Sequence, residues 1–102
     1  MADLKTKPLR RLVEARRSQI KEIVARHRGL SVQLFGSVAT GHEGPDSDID
    51  LLVEFEPGTP PFELLALGAE LEDELGVSVD IGTPSSLRDP VRDDVLAAAI
   101  TL

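Results

Sequence analysis

Between Pro8 and Arg28, apolar residues recur at helical spacing, as Leu9, Leu12, Val13, Ile20, Ile23 and Val24, with arginine and lysine prominent among the rest. That period predicts one amphipathic helix over 8–28, with Pro8 suited to its first turn and Gly29 to its stop. His27 falls on the same stripe and reads as a core-edge or capping residue rather than a ligand. Ser31-Val32-Gln33-Leu34-Phe35 predicts a short strand that runs directly into Gly36-Ser37. After a loop rich in Gly, Pro and charged residues, Asp48 to Phe55 predicts a longer strand with a nearly continuous apolar run. The cluster Glu56-Pro57-Gly58-Thr59-Pro60-Pro61 is a turn. Beyond it, Phe62, Leu65, Leu67, Leu71 and Leu75 line a predicted helix that Gly76 closes. Val77 to Ile81 alternates like a strand, Gly82-Thr83-Pro84 breaks the chain again, and Ser85 to Leu102 predicts a closing helix with serine caps and an apolar end.

Helices alternating with a few strands define an α/β (α+β) class, a small mixed β-sheet with flanking helices. The 102 residues form one domain, with the 8–28 helix, a core over 31–81 and a C-terminal helix over 85–102. No apolar run approaches the roughly 18 residues a membrane span needs, and Met1 to Arg11 has no apolar signal core, so a cytoplasmic chain is expected. There is no cysteine, which excludes disulfide scaffolds, thiolate zinc sites and cysteine nucleophiles. His27 and His42 lack metal-ligand spacing.

The formal net charge of −7 divides unevenly. Residues 1–28 hold nine basic side chains against three acidic ones, a balance of +6, and residues 29–102 hold two against fifteen, a balance of −13. A basic face attracts nucleic acid, phosphates or an acidic partner. No aromatic is interleaved with these charges, and the chain holds three Phe with neither Tyr nor Trp. Base stacking therefore has little to work with, and direct nucleic-acid binding is not expected. The basic segment reads first as a solvated helix face.

The chemistry concentrates between Leu34 and Val53. A strand that ends in Gly36-Ser37 and turns into a helix offers free backbone N–H groups and a hydroxyl, the makings of a phosphate cradle. Asp48 and Asp50 sit two apart on a strand, so their carboxylates share a face about 6.6 Å apart. At an effective dielectric near 20 they repel by roughly 2.5 kcal/mol. A purely structural strand gains nothing from that repulsion, whereas divalent cations convert it into attraction, and Mg²⁺ prefers carboxylate oxygens. Asp80, between Val79 and Ile81, is costly mid-strand unless something compensates it. If its strand lies beside that of Asp50, the three carboxylates converge on one metal cluster, and Asp80 is placed to take a proton from an attacking hydroxyl.

Gly36-Ser37, ten intervening residues and Asp48-x-Asp50 resemble the signature of the DNA polymerase beta-like nucleotidyltransferase superfamily. The run from Asp46 to Phe55 is similar, more specifically, to its short stand-alone branch, the minimal nucleotidyltransferases. Val79-Asp80-Ile81 stands where that family keeps its third carboxylate, and Leu87-Arg88-x-x-Val91-Arg92-x-x-Val95-Leu96 is similar to its last helix. The resemblance covers about residues 28–102. It implies the polymerase beta-like fold, two Mg²⁺ ions on Asp48, Asp50 and Asp80, the phosphates of a nucleoside triphosphate on Gly36 and Ser37, and ATP as donor. Relatives that modify antibiotics or extend nucleic acids carry an additional substrate domain, so an acceptor on a partner protein is implied here. For this branch the resemblance implies a HEPN-family toxin ribonuclease as the partner, silenced when AMP is added to a tyrosine.

The sequence departs from the pattern at Thr40 and Gly44, where many relatives carry arginines, and His42 occupies the same loop. Those departures keep a second reading open, a non-catalytic antitoxin or interaction module that neutralises its partner by binding alone.

Overall fold

The computed structural model describes residues 8–84 and 97–102. The helix predicted over 8–28 is two helices, α1 (Pro8–Ala15) and α2 (Arg17–Arg26), joined at Arg16 with φ −109° and ψ 18°. Arg16 N–H still donates to Leu12 O, and Ile20 N–H to Arg16 O. The apolar stripe therefore crosses the joint, and Val13, Ile20, Ile23 and Val24 are all buried. The stop lies one residue earlier than expected. Arg28 adopts the left-handed conformation at φ 69°, and Gly29 already opens β1 (Gly29–Phe35). Glycine is needed at 29 for close packing instead: a Cβ there would run into the Val24 side chain and lie 2.9 Å from the Val24 carbonyl oxygen.

Then follow α3 (Gly36–Thr40), β2 (Ile49–Phe55), α4 (Pro61–Leu75), β3 (Val79–Gly82) and β4 (Ile100–Thr101). The four strands form one mixed sheet in the order β3-β2-β1-β4. β1 runs antiparallel to β2 and to β4, while β2 and β3 are parallel and are joined through α4, the crossover that parallel neighbours require. Val32 and Leu34 of β1 and Ile49, Leu51 and Val53 of β2 meet the helices in one core with Leu67, Leu71 and Leu75 of α4. Asp50, Leu52 and Glu54 alternate onto the other face of β2.

Two further expectations change. The helix predicted over 85–102 does not reach its end: Ile100 pairs with Leu34, Thr101 with Gln33, and Leu102 N–H donates to Val32 O. The β-branched Ile100 and Thr101 suit a strand, and they satisfy the free backbone edge of β1. Residues 85–96 lie outside the described residues. On α4, Pro61 occupies the first turn and Gly76 closes the helix at φ 72° as expected, but Phe62 and Leu65 are 64% and 72% exposed. Leu65 lies about 200° around the helix from Leu67, so one face cannot bury both.

The charge asymmetry is answered in part within the molecule. Arg16 pairs with Glu74 at 3.2 Å and Arg26 with Glu70 at 2.6 Å, so the basic α2 region lies against the acidic α4. Arg17 Nη2 donates to the carbonyls of Thr101 and Leu102 at 3.1 and 2.9 Å.

His27, the C-cap of α2, stands between two carboxylates of α4, with Nδ1 2.8 Å from Glu63 and Nε2 2.7 Å from Glu70. The hydrogen bond to Glu70 raises the imidazole above its ordinary 6.5; burial works against it, and Glu63 adds to the rise. A raised folded-state value means that this clamp contributes fully below about pH 6.5 and fades as pH climbs through the raised value. The melting temperature of the parent is accordingly expected to fall between pH 6 and pH 9 more steeply than that of His27→Gln. Parallel curves would show that the clamp carries no proton-linked stability.

Candidate active site

The two halves of the sequence motif meet because β1 and β2 are antiparallel neighbours. Phe35, the last residue of β1, lies opposite Asp50. The chain then turns at Gly36, φ 75°, into α3. A Cβ at Gly36 would collide with the Asp50 carboxylate, so only glycine lets this turn lie so close to that side chain. The spacing between Gly36-Ser37 and Asp48-x-Asp50 is the length of α3 and its loop, from the end of one strand to the start of its partner.

Parallel pairing of β2 with β3 sets Asp50 directly beside Asp80. Asp48 lies one residue before the start of β2 and, like Asp80, is exposed, whereas Asp50 is half-buried. Burial, first, and then the negative charges of Asp80 and Asp48 push the Asp50 carboxyl above its ordinary 3.8. Among the described residues no basic side chain pairs with Asp48, Asp50 or Asp80. Among the same residues, no three acidic or histidine side chains close up tightly enough to hold one ion jointly. The three carboxylates therefore share a neighbourhood and a field without forming a joint ligand set. Three like charges repel, and exposed carboxylates at 48 and 80 are free to turn into water.

Ser37 is half-buried, and its hydroxyl donates to Ser47 Oγ at 3.2 Å. Ser47 Oγ also accepts the Gly44 N–H at 2.7 Å. Ser47 was not singled out by the sequence, although it stands inside the Asp46-Ser47-Asp48 word; only the fold brings it to Ser37. The Thr40 hydroxyl turns back to Gly36 O and Ser37 O at 3.3 and 3.4 Å, and His42 Nδ1 lies 3.1 Å from it. Thr40 and His42 are thus engaged with each other at the far end of α3.

A glycine turn and a hydroxyl beside a group of carboxylates offer a phosphate and a hard cation adjoining places, the ingredients of nucleotidyl transfer. The chain belongs to the nucleotidyltransferase domain family, which matches residues 17–102, and it is a nucleotidyltransferase. It is similar to the protein adenylyltransferase MntA of Thermococcus cleftensis, at 30% identity covering 98% of both chains. A Methanocaldococcus jannaschii protein assigned as a protein adenylyltransferase is 40% identical, covering 72% of this chain and 83% of its own. A solved structure assigned as a minimal nucleotidyltransferase superposes with a TM-score of 0.81 at 42% identity, covering 91% of this chain and 95% of the other. A toxin–antitoxin structure with AMP-PNP shares the fold at TM-score 0.69 and 21% identity, covering 82% and 69%. The expected fold class and family are both borne out.

Proposed function

We propose that the protein is an antitoxin that transfers AMP from ATP to a tyrosine of a HEPN-family toxin. The observation that carries this reading is the register that sets Asp50 beside Asp80, with Gly36 turned over Asp50. Gly36 and Ser37 hold the β- and γ-phosphates through backbone N–H groups and the hydroxyl. The donor chemistry fits Mg²⁺, although the side chains are not gathered into one ligand set here: all three are hard oxygen ligands, and Asp50 bears two negative neighbours with no cationic partner among the described residues. Asp48, Asp50 and Asp80 would hold two such ions, which when bound supply positive charge to the transferring phosphate. Asp80, exposed at the edge of the sheet, takes the proton of the acceptor hydroxyl. The acceptor oxygen bonds to the α-phosphorus, the bond from that phosphorus to the bridging oxygen breaks, and pyrophosphate leaves with its electron pair.

A toxin acceptor is supported by MntA, with which this chain aligns almost end to end, and by the fold shared with toxin–antitoxin assemblies. Use of ATP fits a cytoplasmic setting, and no described helix is long and apolar enough to cross a membrane. The test is to mix the chain with a HEPN-family toxin, Mg²⁺ and ATP labelled on the α-phosphate. Label is expected on a toxin tyrosine, with ribonuclease activity falling in proportion. A stable complex that silences the toxin without transferred label would replace this reading with that of a binding-only antitoxin.

A further inference from the structure

The N-terminal helix reaches the candidate phosphate turn from outside the nucleotidyltransferase domain match over residues 17–102. In the first turn of α1, the N–H groups of Leu9 and Arg10 each donate to one carboxylate oxygen of Glu43, both at 3.0 Å. Arg10 Nη1 also donates to Ala39 O in α3 at 3.3 Å, while its Nε is held by Glu14 at 3.0 Å. Glu43 lies in the loop over 41–48 that leaves α3 and delivers Asp48 to β2. Beside it, Gly44 N–H donates to Ser47 Oγ at 2.7 Å, Ser47 N–H returns to Gly44 O at 3.1 Å, and the Ser37 hydroxyl completes the series at 3.2 Å. Hydrogen bonds and two neighbouring peptide units thus connect the start of α1 to Ser37 and Asp48.

First-turn N–H groups have no partner inside their own helix, and a carboxylate there is favoured by both the helix dipole and charge-assisted bonding. One glutamate meets two of them at once. The loop it anchors has no regular structure and would otherwise sample many shapes. We infer that Glu43 is a positioning residue: its carboxylate, clamped by the first turn of α1, holds the 41–48 loop in the shape that nucleotide binding requires. Residues 8–10 then belong to the working site although the nucleotidyltransferase domain match begins at residue 17. This inference rests on the reading of Gly36-Ser37 as the phosphate turn and Asp48 as a metal ligand.

The experiment titrates Mg²⁺ with AMP-PNP into the full chain, Glu43→Gln and Glu43→Ala by calorimetry, and follows amide exchange by NMR in each. Glu43→Ala is expected to bind about tenfold more weakly, as when the competent loop shape falls to about a tenth of the population. Glu43→Gln, which keeps one acceptor oxygen, falls between. The amides of Gly44 and Ser47 exchange faster in the variants, while those of Leu34 and Val53 in the sheet stay protected. Glu74→Gln, in the exposed pair with Arg16, binds as the parent does. Equal affinity in parent and Glu43→Ala overturns the inference alone. Loss of protection in the sheet in step with the loop also overturns it, since the effect is then general unfolding. If Glu43→Ala does not fold, Glu43→Gln decides by the same two readouts. A parent that binds no AMP-PNP overturns the nucleotide reading and this inference with it.

Discussion

Asp50→Asn is expected to melt at a higher temperature than the parent in EDTA, and at the same time to lose AMP transfer by about two to three orders of magnitude. The stability gain follows from the electrostatics of the site. Asp50 is half-buried beside Asp80 and in the field of Asp48, and its carboxyl is raised by burial and by both neighbours. A carboxyl whose value is raised in the folded state stabilises the protein only while protonated. That contribution is complete below its ordinary 3.8 and lost as pH rises through the raised value, so at neutral pH the charged form works against folding. The amide removes that charge without changing the shape of the side chain. The difference between variant and parent should therefore be largest near pH 7 and shrink toward pH 4. The loss of activity follows from the same substitution, because charge stabilisation at a transferring phosphate is worth several kcal/mol and each 1.36 kcal/mol is about tenfold in rate. Mg²⁺-ATP should raise the melting temperature of the parent through binding to the folded state, and the variant should lose most of that rise. A variant that melts lower in EDTA and still transfers AMP would remove Asp50 from the site.

Gly36→Ala is expected to damage both fold and function. The residue sits at φ 75°, where a side chain costs about 1–2 kcal/mol. Its Cβ would also collide with the Asp50 carboxylate, an overpacking that adds to the strain. A combined cost of at least about 2 kcal/mol lowers the melting temperature of a domain this size by roughly 8–16 °C or more. The collision makes the two positions energetically coupled, so Asp50→Gly in the Gly36→Ala background should recover the part due to the clash and leave the backbone strain. Strict additivity of the two substitutions would mean that Gly36 and Asp50 do not meet as described. Transfer should vanish in Gly36→Ala even below its melting temperature, because the turn can no longer lie against Asp50.

Much of this was legible along the chain because the signals are local. The turn residue Gly76, the proline at the start of α4 and the apolar run of β2 act within a few positions of themselves, and each element appeared near its expected place. The family motif was legible for the same reason: Gly36-Ser37 and Asp48-x-Asp50 lie within one strand–helix–loop–strand unit. Where a local signal was ambiguous, the reading slipped. The stripe skips one turn at Arg16-Arg17, but Val13 and Ile20 stand seven apart, about two helical turns, so the phase is kept and periodicity alone could not show that the helix divides there. Ile100 and Thr101 follow an alanine-rich run of helical character, and only the open backbone edge of β1 draws them into a strand.

The sequence by itself determined the types of β1, β2, α4 and β3, the buried stripe of α1 and α2, and the candidate residues Gly36, Ser37, Asp48, Asp50 and Asp80, because residue chemistry and short-range periodicity carry that information. Tertiary structure alone decided which of them act on one another. The pairing of Asp50 with Asp80 depends on strand order and register across an α4 crossover. Glycine at 36 is required by a carboxylate fourteen positions away, and Ser37 finds Ser47 across a loop. The His27 clamp reaches Glu63 and Glu70 on a distant helix, and Glu43 joins an N-terminal turn more than thirty residues behind it. Contacts at such separations leave no periodic trace, since they are made by the packing of whole elements and not by the preferences of neighbouring residues.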